Sequence, residues 1–223
     1  MSEELMQLDI SQRLLSIVRA MPSLDSSSQR ARLFKNAGLE KLTIMSPTMF
    51  VASWSLMLPM MVVIGWGSAT AAQGLALVAA GLFAWTLFEY AMHRFPFHFT
   101  AKSSVLSRLV FLIHGNHHDN PNDGMRNLMP LLVSVPIAAS VWVGSVAMLG
   151  APGTWLFLGW ITGYVVYDLV HYACHQWPMK GRISAALKRH HMRHHYVDET
   201  GNYAILAIFW DRVFGSRIVS LKR

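Results

Sequence analysis

Gly74-Leu-Ala-Leu-Val-Ala-Ala-Gly-Leu-Phe-Ala-Trp-Thr-Leu-Phe-Glu-Tyr-Ala-Met-His-Arg-Phe-Pro-Phe-His98 decides how the rest of the chain is read. From Gly74 to Met92 it is apolar apart from Glu89, and its length approaches the roughly 20 residues a helix needs to cross a hydrocarbon core. It then runs without a break into a histidine pair. Three more histidine clusters follow: His114-Gly-Asn-His117-His118, His171-Tyr-Ala-Cys-His175 and His190-His191-Met-Arg-His194-His195. All eleven histidines lie between His93 and His195, a confinement that scattered surface residues do not produce.

Working outward, Phe50 to Trp66 is a second apolar, uncharged run, joined to the first by a connection too short for a folded loop. A further pair follows, Leu128 to Leu149 and Thr154 to Val170, separated by Gly150-Ala-Pro-Gly153. Pro59, Pro130 and Pro136 are expected to kink or bound these helices, which membrane helices tolerate. The composition agrees, with 53% hydrophobic and only 14% charged residues. Lys and Arg number six before the first run, four between Met92 and Leu128 and nine after Val170, with none in either hairpin turn. All nineteen fall on one side, which the positive-inside rule makes cytoplasmic. The expectation is an all-α integral membrane protein with four transmembrane helices (50–66, 74–92, 128–149, 154–170) in two hairpins, both termini cytosolic. That layout accounts for the net charge of +7 without a nucleic-acid partner.

Residues 1–47 read as a cytosolic arm in which Leu8, Leu14, Leu15, Ile17 and Val18 recur at helix-like spacing. An interfacial helix and a solvated arm both fit. Residues 48–223 form the membrane domain. The polar start Ser2-Glu3-Glu4 does not resemble a cleaved signal peptide. Cys174, the one cysteine, has no partner for a disulfide and reads as a small filler between two histidines.

Neutral imidazole suits first-row transition metals. His114, His117 and His118 are spaced i, i+3, i+4, as are His191, His194 and His195, and His171 and His175 are an i, i+4 pair, so each set shares a helix face. His93 and His98 would diverge on a straight helix, but Pro96 is expected to end that helix near Arg94. His190 faces away from its neighbours and is read as lying outside the set. Ten rings remain, too many for one metal and enough for two with about five nitrogens each, which argues against a tetrahedral structural zinc. Metal-bound imidazoles usually donate their second N–H to a carboxylate or carbonyl. Glu89 and Asp168, costly carboxylates near the ends of apolar helices, are the expected acceptors. Asp119, Asp123 and Asp211 are less constrained, and Asp123 can pair with Arg126. A redox pair of metals on neutral nitrogens suits O₂ activation, with electrons from a partner. The chain carries no Ser or Cys nucleophile arrangement, phosphate loop or nucleotide-cofactor fingerprint. A basic cytoplasmic face fits an acidic donor.

At Phe88-Glu-Tyr-Ala-Met-His-Arg-Phe-Pro-Phe-His98, His114 to Pro130, Tyr167-Asp-Leu-Val-His-Tyr172, Leu187 to Tyr196 and Trp210-Asp-Arg-Val-Phe-Gly215 the sequence resembles the fatty acid hydroxylase superfamily. Within it, the chain is most similar to fatty acid 2-hydroxylases, here without a cytochrome b5 domain. The resemblance implies a dimetal centre under a cytosolic helical cap on four membrane helices, using O₂ to hydroxylate a long-chain acyl lipid beside its carboxyl carbon. The implied ligands are His93, His98, His114, His117, His118, His171, His175, His191, His194 and His195. The functional metal would be iron, with zinc able to occupy purified protein, and the electrons would come from a cytochrome b5 or ferredoxin-type donor. The membrane would be the endoplasmic reticulum in a eukaryote or the inner membrane in a bacterium. Gln176, where the family often has histidine, and Thr200-Gly-Asn-Tyr-Ala204 depart from its pattern. Tyr172, Tyr196, Tyr203 and Trp210 are candidates for shaping an acyl channel or head pocket. The rival readings are a sterol or carotenoid oxidase with the same centre and, outside enzymes, a metal transporter or sensor, whose site would lie near the bilayer midplane.

Overall fold

The computed structural model describes residues 32–219, so the helix expected around Leu8 to Val18 lies outside the described residues. Among the described residues the regular structure is entirely helical. A short helix α1, Ala37–Lys41, is capped by Asn36, whose side chain accepts from the N–H groups of Gly38 and Leu39. Glu40 accepts from the N–H groups of Leu33 and Phe34 and pairs with Arg126, which also reaches Thr43 and Asp123. This ties the 33–43 segment to the loop after the second histidine cluster.

Four long helices follow the expected order with shifted bounds. Helix α2 spans Pro47–Gly65, started by the Ser46 side chain and by proline at its first position. Helix α3 spans Ala71–Met92, opened by a reciprocal capping box between Thr70 and Gln73. Helix α6 spans Leu131–Leu149 behind Pro130, and α7 spans Gly153–Gln176. Pro59 and Pro136 lie inside α2 and α6, whereas Pro130 bounds α6. Between α3 and α6 lie α4, Ser104–Val110, and α5, Asn116–Asp119; α8, Arg182–Tyr196, and the short α9, Trp210–Val213, complete the chain.

Helix α7 is the axis of the assembly, packing against α2, α3, α6 and α8. Its crossing with α3 is close enough to require glycine. A Cβ on Gly81 would fall 2.0 Å from the Leu156 carbonyl oxygen, and one on Gly159 would fall 2.0 Å from that of Val78. Such small-residue crossings let membrane helices gain packing that lipid cannot otherwise drive. Below it, Trp85 meets Trp160 and Tyr164 edge-on, at centroid distances of 4.8 and 5.5 Å.

The outer faces are apolar: Leu56, Val63, Leu75, Val143 and Met148 are 64 to 75% exposed. Three helical stretches, Pro47–Gly65, Ala71–Phe97 and Leu131–Leu149, are long and apolar enough to cross a membrane, which marks a membrane protein. Helix α7 does not meet that criterion. Fourteen of its residues are buried against other helices, so its composition answers to protein neighbours and to the polar groups it carries toward the site.

The crossing makes a contrast measurable. Gly81→Ala should cost about 1–3 kcal/mol of stability and lower the thermal midpoint in detergent. Gly144→Ala, whose added Cβ meets nothing within 4 Å, should leave the midpoint unchanged.

Candidate metal centre

Helix α3 does not end near Arg94. It widens into a π-helical turn, His93–Phe97, that carries Pro96 inside it and hands over to His98. Proline has no N–H for either ladder, and in an α-helix its ring collides with the carbonyl four residues back; the wider π turn makes room for the ring. The same widening sets residues five apart over one another, so His93 and His98, which would diverge on an α-helix, have ring centroids 5.2 Å apart. A second π turn, Phe111–Gly115, carries His114 and runs into α5 with His117 and His118. The Asn116 side-chain amide donates to the carbonyls of Phe111 and Leu112 in that turn. The C-terminal turns of α7 present His171 and His175, and the last turns of α8 present His191, His194 and His195.

Among the described residues the ten rings converge as two groups of five, within each of which the ligand atoms lie within 4.8 Å of one another. The first group is His93, His98, His114, His118 and His194; the second is His117, His171, His175, His191 and His195. Each histidine trio is divided: α5 and its π turn send His114 and His118 to the first group and His117 to the second, while α8 sends His194 to the first and His191 and His195 to the second. The facing atoms are Nε2, at 2.8 Å between His175 and His191, 3.0 Å between His98 and His194, and 3.1 Å between His93 and His114.

Tautomers follow from the other ring nitrogen. Nδ1 of His93 donates to the Tyr203 carbonyl at 2.5 Å, Nδ1 of His194 to that of Gly201 at 2.7 Å, and Nδ1 of His171 to that of Asn127 at 3.1 Å. A carbonyl only accepts, so these rings carry the proton on Nδ1 and aim the Nε2 lone pair inward. One added proton can reconcile a pair of such nitrogens, but five converging on one point call for a metal cation. Nitrogen-only sets of five suit a transition metal and exceed the four ligands of structural zinc.

Electrostatics favour the ligand form. Burial, reinforced by neighbouring imidazoles, pushes His98 down to about 4, His194 to about 3 and His175 to about 2. Burial alone holds His118 at about 4, and His114, His117, His191 and His195 are lowered for the same reasons as the first three. All are neutral at pH 7.

The expected carboxylate acceptors are placed differently. Glu89 accepts through Oε1 from the N–H groups of Ile205 and Leu206, and Asp168 through Oδ2 from the N–H of Met129. Neither accepts a hydrogen bond from a histidine ring. A buried carboxylate is stabilised by several fixed N–H donors, so each binds backbone and steadies a loop whose carbonyl, Tyr203 or Asn127, meets the histidine. Asp211, read from sequence as less constrained than Glu89 and Asp168, is fully buried and accepts from the N–H groups of Tyr203 and Ala204, from Ser216 and from His190. His190 is thus outside both groups but hydrogen-bonded at 2.9 Å. The Asp-after-Trp signal was present in the sequence; the loop carbonyls left none, because a backbone acceptor has no residue signature. Asp123 does pair with Arg126, at 3.3 Å.

A cavity of about 350 Å³ reaches His114, His117 and His171 at one end and is otherwise walled by side chains such as Leu109, Leu112 and Leu132. A second, of about 140 Å³, extends among Trp85, Phe88, Trp160 and Tyr164. Phe97, Ile113, Met129, Val133 and Tyr167 line both. Of the four aromatic candidates, none lines either cavity. Tyr203 packs on His93, Trp210 donates to Thr86, Tyr172 meets Trp177, and Tyr196 is exposed beside His195.

The fatty acid hydroxylase family model matches residues 78–216. The chain is 36% identical over 142 residues to a dihydroceramide fatty acyl 2-hydroxylase of Arabidopsis thaliana, covering 63% of this chain and 60% of the relative. It is 41% identical over 144 residues to a ceramide very long chain fatty acid hydroxylase of Schizosaccharomyces pombe (61 and 40% covered), and 37% identical over 147 residues to a fatty acid 2-hydroxylase of Homo sapiens (62 and 38%). The matched region thus spans between about 40 and 60% of the length of these relatives. The structure of full-length Scs7p, with only its hydroxylase domain visible, superposes with a TM-score of 0.79 at 30% identity, covering 86% of this chain and 73% of that one.

The lowered histidines predict a pH dependence. In the metal-free protein the folded form binds fewer protons than the unfolded chain between pH 6.5 and about 4, so stability is full above 6.5 and falls as pH drops through that window. The thermal midpoint of chelator-stripped protein should decline from pH 7 to 4.5, and His118→Gln should make the decline shallower; a slope of the opposite sign would contradict the burial of these rings.

Proposed function

Because the chain belongs to the fatty acid hydroxylase family, we propose that it is a membrane monooxygenase that hydroxylates a long-chain fatty acyl group at the 2-position. One C–H bond becomes C–OH with one oxygen atom of O₂; the other leaves as water, consuming two protons and two electrons from a separate cytochrome b5 or ferredoxin-type donor. The observation that carries this reading is the convergence of ten Nε2 atoms in two groups of five, with rings of both groups lining the larger, mostly apolar cavity. The relatives' names supply the acyl substrate and the 2-position.

In this reading the ten histidines hold two metal ions, iron in the working enzyme and zinc in some purified material. When bound, the pair supplies the redox chemistry that activates O₂. The chain's own residues do the rest. The carbonyls of Tyr203, Gly201 and Asn127 fix three ring tautomers, while Glu89 and Asp168 hold the backbone nearby. The apolar cavity walls take the acyl chain and exclude water beside the rings. Phe97, stacked on His114, and Tyr167, stacked on His171, line that path. Arg126, a cation at the cavity wall, is already paired with Glu40 and Asp123, which favours an acyl group carried in an amide or ester over a free carboxylate.

The topology we propose adds α7 to the three apolar spans, giving four transmembrane helices in two hairpins. Residues 1–47 form a cytosolic arm and residues 48–223 the membrane domain. The histidine-bearing segments form a cytosolic cap, with both termini on that side. Support comes from the one-sided distribution of Lys and Arg and from the position of the histidines at helix ends, which disfavours a midplane transport site. The membrane would be the endoplasmic reticulum or a bacterial inner membrane.

The test is a mass-spectrometric lipid profile of cells expressing the chain with a supplied donor, beside a His194→Ala, His195→Ala variant. A 2-hydroxy acyl species should accompany only the intact protein. Unchanged acyl lipids with the donor present would refute the 2-hydroxylase reading and send the search to sterols and carotenoids.

A further inference from the structure

The two histidine groups are not held alike. In the first, the peptide joining Tyr203 to Ala204 bridges a ring and a carboxylate: its carbonyl accepts from His93 Nδ1 and its N–H donates to Asp211 Oδ2 at 2.9 Å. The peptide joining Gly201 to Asn202 accepts from His194 Nδ1 and donates to the Ser216 carbonyl at 2.8 Å. Asn202 between them has φ +55°, and its side chain secures it by donating to the His190 carbonyl and accepting from the Ile218 N–H. Asp211 draws in the N–H groups of both Tyr203 and Ala204, together with His190 and Ser216. Its charge polarises the peptide whose carbonyl meets His93, strengthening that carbonyl as an acceptor and the ring as a donor of its lone pair.

The second group lacks such a frame. His171 alone among its rings has an Nδ1 hydrogen bond, to Asn127. Nδ1 of His117, His175, His191 and His195 is buried without a hydrogen-bond partner.

We propose that Asp211 is a positioning residue for the first group, acting through the Tyr203–Ala204 peptide, and that the two metal positions are therefore unequal, the first group binding more tightly and filling first. This rests on the reading that the ten histidines hold two metals. Outer partners of metal-bound histidines are worth about 10–100-fold in affinity. The first group has one more ring held through Nδ1 than the second, His93 and His194 against His171, which sets the expected difference at that one-partner scale.

The experiment is a titration of the full-length protein in detergent, stripped by chelator, with Co²⁺ alone, read by visible absorption and by metal content. Two equivalents should bind in two steps, the second about 10–100-fold weaker. His98→Ala should abolish the tight step and His175→Ala the weak one. Asp211→Asn should weaken the tight step about tenfold or more and leave the weak step unmoved, while Asp211→Glu, which keeps the charge, should retain more of it. Two equal steps, or a tight step that survives His98→Ala and disappears in His175→Ala, would overturn the inequality. Loss of both steps together in Asp211→Asn would make Asp211 a support of the fold and overturn its assignment to the first group. Failure of the intact protein to bind two equivalents would instead remove the dimetal reading on which both proposals stand.

Discussion

Ten imidazole lone pairs aimed at two points repel one another, and the fold has to hold them there before any cation relieves the repulsion. Free rings would rotate outward to water. Here they sit on helix ends whose backbone is fixed, and three of them are pinned from behind by carbonyls at 2.5 to 3.1 Å. Burial does the remaining work, since it keeps the rings neutral and protonation would remove the lone pairs that bind metal.

Holding the rings from helix ends makes the apolar bundle part of the site. Helix α7 carries the glycine crossing with α3 at one end and His171 and His175 at the other, so the register set by Gly81 and Gly159 is passed along a rigid element to the second group. Helix α3 plays the same part for His93 through its terminal π turn. The cavity that reaches the rings is bounded by Tyr167 and His171 of α7, by Phe97 of that π turn and by the 33–43, 109–117 and 126–133 segments, which places an apolar slot and a polar centre side by side without a separate binding domain.

Buried carboxylates in this protein serve the backbone. Glu89 and Asp211 each accept from two or more peptide N–H groups and Asp168 from one. The Tyr203–Ala204 peptide held by Asp211 itself presents its carbonyl to His93, while those held by Glu89 and Asp168 lie a residue or two along the chain from the Tyr203 and Asn127 carbonyls that meet His93 and His171. A ring offers a carboxylate one N–H, whereas a loop offers two or more in a fixed array, the better compensation for a charge removed from water. The consequence is an arrangement in which loop conformation and ligand orientation are inseparable.

Composition, apolar runs and the clustering of histidines within 93–195 determined that the protein is helical, made for a membrane and rich in candidate metal ligands, because those properties depend on residue type and spacing alone. Periodicity likewise paired His171 with His175, since an unbroken helix has only one geometry. What tertiary structure decided is how the ligands are shared. The i, i+3, i+4 trios are split between two groups because each helix lies between both. His93 and His98 meet because Pro96 is absorbed by a π turn and does not end the helix, a choice that depends on what packs around it. Helix α7 is less apolar than its neighbours because it is surrounded by protein, and burial is a property no single segment encodes. The carbonyls of Gly201, Tyr203 and Asn127 were invisible for a simpler reason: every residue has one, and only the folded chain decides where it points.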